Sequence, residues 1–147
     1  MYNEALVGRC GLYCGACRIY RAQRDDPNRR KRIAERCSCA VEQVRCNGCG
    51  VLTPEDWGYD CKFVVCQRGK EISYCFECED FALCRKFQEF CSEYLEDGVD
   101  LRTNLAMIQE GRIETFLTTM KKRYTCENCG GSLSAGETRC HHCQKEL

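Results

Sequence analysis

Most of the cysteines in this chain come in close pairs, and their spacing limits the folds open to it more than any other feature. The pairs are Cys14/Cys17, Cys46/Cys49, Cys61/Cys66, Cys75/Cys78, Cys126/Cys129 and Cys140/Cys143. A Cys-x-x-Cys turn sets two sulfurs on one side of a tight loop. Two such turns facing each other make the tetrahedral four-sulfur set that zinc takes at ~2.3 Å. With 17 cysteines in 147 residues, a disulfide scaffold in an oxidising compartment competes with thiolate metal sites in a reducing one. The odd number and the paired spacing favour metal. The opening stretch MYNEALVGRCG lacks the basic start and apolar run of a secretory signal, which places the expected compartment in the cytoplasm.

Charge and hydropathy narrow the remaining classes. No run approaches the ~18 apolar residues of a membrane span. Lys plus Arg and Asp plus Glu number 22 each, so the chain has no overall attraction to nucleic acid or anionic lipid. Arg29, Arg30, Lys31 and Arg32 form a basic run. Consecutive residues spread around a helix, so this run reads as solvated surface. Lys121, Lys122 and Arg123 stand where a helix C-terminus favours cations, which needs no nucleic-acid partner.

Two units are expected: a cysteine-rich domain over 1–124, helical in its later part (80–124), and a separate unit over 125–147. In the first, short helices are predicted near 16–24, over 27–37 behind an Asp26 cap, from Pro54 with Thr53 as cap, and over 62–68 with Gly69 as the stop. Ile72 to Tyr74 read as a short strand. Beyond Asp80 the periodicity of Leu83, Phe87, Phe90 and Tyr94 marks one buried helical face. Asp97-Gly98 breaks it. Asp100 then caps a helix carrying Leu101, Leu105 and Ile108 inward and ending at Gly111, and a last helix buries Ile113, Phe116, Leu117 and Met120.

The C-terminal unit gives the most specific chemical signal. Cys126, Cys129, Cys140 and Cys143 flank ten residues containing Gly and Ser, which predicts a β-hairpin zinc ribbon. Gly130 and Gly131 suit the left-handed turn behind the first pair. His141 and His142 read as exposed residues of the second turn. In the N-terminal block, Cys14, Cys17, Cys46, Cys49, Cys61, Cys66, Cys75 and Cys78 suffice for two more four-thiolate sites, with Cys10 and Cys84 as alternates. Which pairs share an ion stays open. Using every pair gives about three zinc per chain. Cys37, Cys39 and Cys91 read as spectators.

Iron competes with zinc at the N-terminus. The Cys-x3-Cys-x2-Cys spacing of Cys10, Cys14 and Cys17 matches the cluster motif of radical S-adenosylmethionine enzymes. Those need a partial (β/α) barrel of ~200 residues, which this chain has neither the length nor the βα alternation to build. A [4Fe-4S] electron-transfer site on the same cysteines remains the alternative. No Gly-rich phosphate loop, Ser-His-Asp set or carboxylate pair in a recognisable setting is visible, so no catalytic residue is assigned.

The segments GLYCGAC, RCNGC at 45–49, CKFVVC at 61–66 and SYCFECEDFALC at 73–84 resemble the cysteine-rich domain-of-unknown-function family 3795 of bacteria and archaea. NLAMIQEGRIETFLTTMKKRYTCENCGG is similar to the tail many members carry, which ends in a zinc ribbon. The resemblance implies metal binding by Cys10, Cys14, Cys17, Cys46, Cys49, Cys61, Cys66, Cys75, Cys78 and Cys84 as a group. It implies no activity. Leu83 stands here where a proline is common, and Cys37, Cys39 and Cys91 look like additions. The expectation is thus a small, metal-stabilised, mainly α protein with irregular cysteine-rich loops and a terminal zinc ribbon. It is read as a zinc-binding, non-catalytic module for an unidentified protein partner. An iron–sulfur redox protein and a nucleic-acid-binding zinc protein are the alternatives.

Overall fold

The computed structural model describes residues 3–147, and among these its regular structure is helical. Six α-helices follow in order: α1 (Arg18–Asp25), α2 (Pro27–Cys37), α3 (Lys62–Gly69), α4 (Arg85–Glu96), α5 (Leu101–Gln109) and α6 (Ile113–Arg123). Short 3-10 turns and irregular loops join them, and none of the helices is long and apolar enough to cross a membrane.

The main core is formed by α4, α5 and α6. Phe87, Leu101, Leu105, Ile108, Phe116, Leu117 and Met120 are all buried there. Asp100 caps α5 by accepting from the Arg102 and Thr103 N–H groups. Gly98 (φ 74°) and Gly111 (φ 75°) supply the left-handed residues that break the chain on either side of α5. The N-terminal segment lies against this core through Val7 and Cys10. At Gly11 it runs so close that an added Cβ would stand 2.7 Å from the Leu101 carbonyl oxygen. The buried Asn104 amide donates to the Gly11 oxygen at 2.9 Å, which satisfies a carbonyl otherwise sealed from water.

Apolar contact does less in the region of α1 and α2. Arg24 donates to the Cys46 oxygen at 3.1 Å while its guanidinium lies 3.4 Å from the Tyr20 ring centroid. Gln23 accepts from the Cys46 N–H at 2.9 Å, and Arg30 donates to the Val44 oxygen at 2.8 Å. Arginine and glutamine side chains thus hold the irregular loop against the helix pair by its own backbone.

Several expectations need correction. The β-hairpin zinc ribbon over 125–147 is absent: the described residues hold no strand, and within 125–147 there are only isolated antiparallel bridges at Thr125–Ser132 and Arg139–Glu146. The donors of the connecting segment are used elsewhere. The Ser134 N–H bonds the Glu137 carboxylate, and the Ala135 N–H bonds the Ala16 oxygen, so no ladder forms. The helix expected from Pro54 is a loop closed by buried Asp56, which accepts from the Thr53 and Asn47 N–H groups. Ile72 to Tyr74 form no strand. Asp80 precedes a 3-10 turn, Phe81–Leu83, and α4 begins only at Arg85. Leu83 therefore leaves the helical stripe and is 83% exposed.

Candidate metal centre

The four cysteines of the C-terminal unit meet. The sulfurs of Cys126, Cys129, Cys140 and Cys143 all lie within 4.8 Å of one another, with Cys126–Cys143 and Cys129–Cys140 each at 3.8 Å. A tetrahedron with ~2.3 Å arms has edges of ~3.8 Å, so the set fits one tetrahedral thiolate-bound ion. The same separation is nearly twice a ~2.05 Å disulfide bond, and all the cysteines are free thiols.

Local backbone geometry builds this set twice over. In the first turn the Cys126 N–H donates to the Gly131 oxygen and the Gly130 N–H to the Cys126 oxygen, both at 2.8 Å. In the second, the Cys140 N–H donates to the Lys145 oxygen at 2.9 Å and the Gln144 N–H to the Cys140 oxygen at 2.8 Å. The residue after the second cysteine is left-handed in both, Gly130 at φ 74° and Gln144 at φ 66°. Each half is then closed by its single β-bridge. The repeat is structural, since only the cysteine positions reveal it in the sequence.

Hydrogen bonds to sulfur tune the thiols. The Gly131 N–H reaches Cys129 Sγ, and the Asn128 amide reaches Cys143 Sγ, both at 3.4 Å. The Lys145 N–H and the Asn128 amide draw the Cys143 thiol down to about 6. At Cys129 the Gly131 N–H pulls the same way, but desolvation and the neighbouring thiols override it and push Cys129 to about 12. Four sulfurs crowded together resist carrying four negative charges, half of which a divalent cation offsets.

The N-terminal cysteines are arranged more loosely. Cys14 sits in the 3-10 turn Cys14–Ala16, and its sulfur accepts from the Cys49 N–H at 3.3 Å. A thiol–thiol hydrogen bond lowers Cys49 to about 7 and, together with burial, raises Cys14. Cys17 precedes α1, and its thiol is raised by burial, with the Cys46 and Cys49 thiols close enough to add to the rise. Burial also raises Cys46. A second neighbourhood surrounds Cys75, pushed to about 11 by burial against the pull of the Gln67 amide, with the Cys84, Cys66 and Cys78 thiols adding to it. Lys70 donates to Cys78 Sγ at 3.2 Å.

Cys10 is buried in the main core, and burial pushes its thiol up. Cys61 is exposed ahead of α3, Cys37 is exposed at the end of α2, and Cys91 is buried on α4. Among the described residues, no three N-terminal cysteines bring their sulfurs within 4.8 Å of one another.

The residues that spacing alone did not single out join the C-terminal unit to α1. His141 is pinned, its side chain 11% exposed, with Nε2 2.8 Å from Asp25 Oδ1 and Nδ1 2.5 Å from Glu137 Oε1. Burial works to lower the imidazole, but its hydrogen bonds to Glu137 and Asp25 outweigh that and raise it. Arg29 adds a 2.6 Å bond to the Ser134 hydroxyl. No short-range pattern flags Asp25, which lies 116 residues from His141.

Comparison with curated proteins and with solved structures gave no match. One family model, described as a protein of unknown function (DUF3795), matches residues 6–89, a span that holds the N-terminal cysteines and stops short of the four-sulfur set. The match covers more than half of the chain, with Cys10, Cys14, Cys17, Cys46, Cys49, Cys61, Cys66, Cys75, Cys78 and Cys84 all inside it, and the chain therefore belongs to the DUF3795 family.

Proposed function

We propose that this chain is a zinc-binding, non-catalytic binding or adaptor module of the cytoplasm, whose metal sites hold its shape for a protein partner. The reading is carried by the 3.8 Å Cys126–Cys143 and Cys129–Cys140 sulfur separations, each matching the ~3.8 Å edge of a tetrahedral zinc site. A site closed by four thiolates has no open position for substrate, which favours a structural role.

The same reading extends to the N-terminal block as two further sets. Cys14, Cys17, Cys46 and Cys49 form one, supported by the Cys49-to-Cys14 hydrogen bond and by the closeness of Cys17 to the later pair. Cys66, Cys75, Cys78 and Cys84 form the other, supported by the closeness of the Cys66, Cys78 and Cys84 thiols to Cys75. Cys10 and Cys61 lie beside these sets. The total is about three zinc per chain.

One observation favours a second reading for the N-terminal block alone. Among the described residues no three of its sulfurs come within 4.8 Å of one another, as the C-terminal four do. A cluster with iron and sulfide between the thiolates needs a wider cage than a single ion does. Anaerobic purification without added metal, followed by metal and acid-labile sulfide analysis, separates the two. A colourless protein with about three zinc supports the first reading. Brown protein with labile sulfide assigns the N-terminal cysteines to iron. Absence of bound metal at the C-terminal four would overturn the proposal.

A further inference from the structure

The contact between α1 and the C-terminal unit contains an unusual arrangement of acceptors. Glu137, with a side chain only 2% exposed, accepts from the Ser134 N–H at 2.7 Å and from the His141 N–H at 3.0 Å. A carboxylate in that setting offers lone pairs only, so the His141 Nδ1 beside it carries the hydrogen. The other ring nitrogen, Nε2, is open to a proton or to a metal ion. It faces Asp25 Oδ1 at 2.8 Å, while Asp25 Oδ2 is taken by Arg21 at 2.9 Å. A ring nitrogen and a carboxylate oxygen this close need a positive centre between them, either a proton or a metal ion.

A third donor atom stands beside this pair. The His142 ring lies 4.0 Å from that of His141, and its Nε2 is 3.0 Å from the Ser132 carbonyl, to which it donates. That bond leaves the His142 Nδ1 lone pair unused. Ligand atoms from Asp25, His141 and His142 lie within 4.8 Å of one another. We propose that Asp25, His141 and His142 form a cation site, separate from the thiolate sets, that takes a divalent transition-metal ion such as zinc.

Ligand chemistry supports that class of ion. Two imidazoles and a carboxylate suit zinc and its first-row neighbours and not calcium or magnesium, which prefer all-oxygen shells. Ligands each ~2.0–2.1 Å from a tetrahedral ion stand ~3.3–3.4 Å apart, so an ion entering here widens the 2.8 Å N–O gap by about half an ångström. The Glu137–His141 bond is the carboxylate-to-imidazole support that metal-bound histidines usually have. Three protein ligands leave room for water, so this ion would exchange more readily than one closed in by four sulfurs. Its place is also mechanical: Asp25 belongs to α1, and both histidines belong to the C-terminal unit. An ion here fastens one to the other.

The test uses the full chain with its thiolate sites loaded with zinc, and cobalt(II) as the probe. Wild type is expected to bind one further equivalent, with weak visible bands and no sulfur-to-cobalt charge transfer. Asp25→Asn and His142→Ala are expected to lose that equivalent while keeping their thiolate-bound zinc. His142 is exposed, so its removal leaves the fold intact. Glu137→Gln is expected to bind cobalt ~10–100-fold more weakly. Equal cobalt uptake by wild type and both variants overturns the proposal. So does a nitrogen NMR signal showing hydrogen on His141 Nε2 in excess cobalt or zinc, because a proton would then be what joins Asp25 to the ring. Neither result bears on the four-sulfur set, whose zinc content is measured separately.

Discussion

The region of α4 to α6 and the cysteine-rich region before it are held together by different means. In the first, Phe87, Leu101, Leu105 and Phe116 are sealed from water and the helices close on them. In the second, the α1–α2 pair grips its neighbouring loop through Arg24, Gln23 and Arg30 bonds to backbone groups, with thiols filling buried positions such as Cys14 and Cys46. A hydrophobic core needs only the right pattern and volume. A core of sulfur and hydrogen bonds needs its partners in place, because each buried polar group left unpaired costs ~1–3 kcal/mol. The first region has a closed apolar core, whereas on the proposed reading the second relies on metal at its thiols.

The largest expected effect breaks that comparison outright. Removing metal with a strong chelator withdraws a contribution of ~10–16 kcal/mol per structural zinc. Amides between residues 18 and 69 are expected to lose hydrogen-exchange protection while those of α5 and α6 keep theirs. Uniform retention would show that the cysteine-rich region stands without metal. Next comes Phe116→Ala, expected to cost ~3–5 kcal/mol in denaturant unfolding with metal content unchanged. If the metal count falls as well, the two regions are one cooperative unit.

Smaller changes sharpen the contrast. Arg24→Ala removes a charged hydrogen bond to the Cys46 oxygen and a cation–ring contact, expected to cost ~1.5–3 kcal/mol and to weaken metal retention near Cys46. Metal competition with a colorimetric chelator reads it. The least is Asp100→Ala, ~1 kcal/mol for a lost cap. The Thr103 hydroxyl, followed by backbone N–H groups, holds the Asp100 carboxyl below the usual aspartate range. The cap therefore contributes fully above that range, and its contribution fades as pH falls through the lowered value. Acid titration of wild type against the variant should show their stabilities converging at low pH.

The helical region was the more legible one. The 3.6-residue periodicity of Phe87, Leu101, Leu105, Ile108, Phe116 and Met120, with Asp100 and Gly111 as punctuation, located α4 to α6 closely, because burial there follows from local pattern. Asp26 and Pro27 marked the start of α2 for the same reason. α4 starts later than the periodicity predicts because Leu83 continues the pattern into a turn that precedes the helix. Spacing brought Cys126, Cys129, Cys140 and Cys143 together correctly. The hairpin did not follow, since the donors that would have built it are claimed by Glu137 and by Ala16, the latter far away in the chain. Asp25 and Glu137 carry no sequence signal, because their meeting with His141 is a product of tertiary structure.

The two halves of the four-sulfur set share one hydrogen-bonding frame but not one residue at its tightest bend. Glycine takes the left-handed position without penalty in the first half; in the second, Gln144 carries ~1–2 kcal/mol of steric opposition there. A vessel with matched walls and one weaker hinge opens at the hinge. Ion exchange should thus begin on the side of Cys140 and Cys143, leaving Cys126 and Cys129 as the lasting half of the clasp.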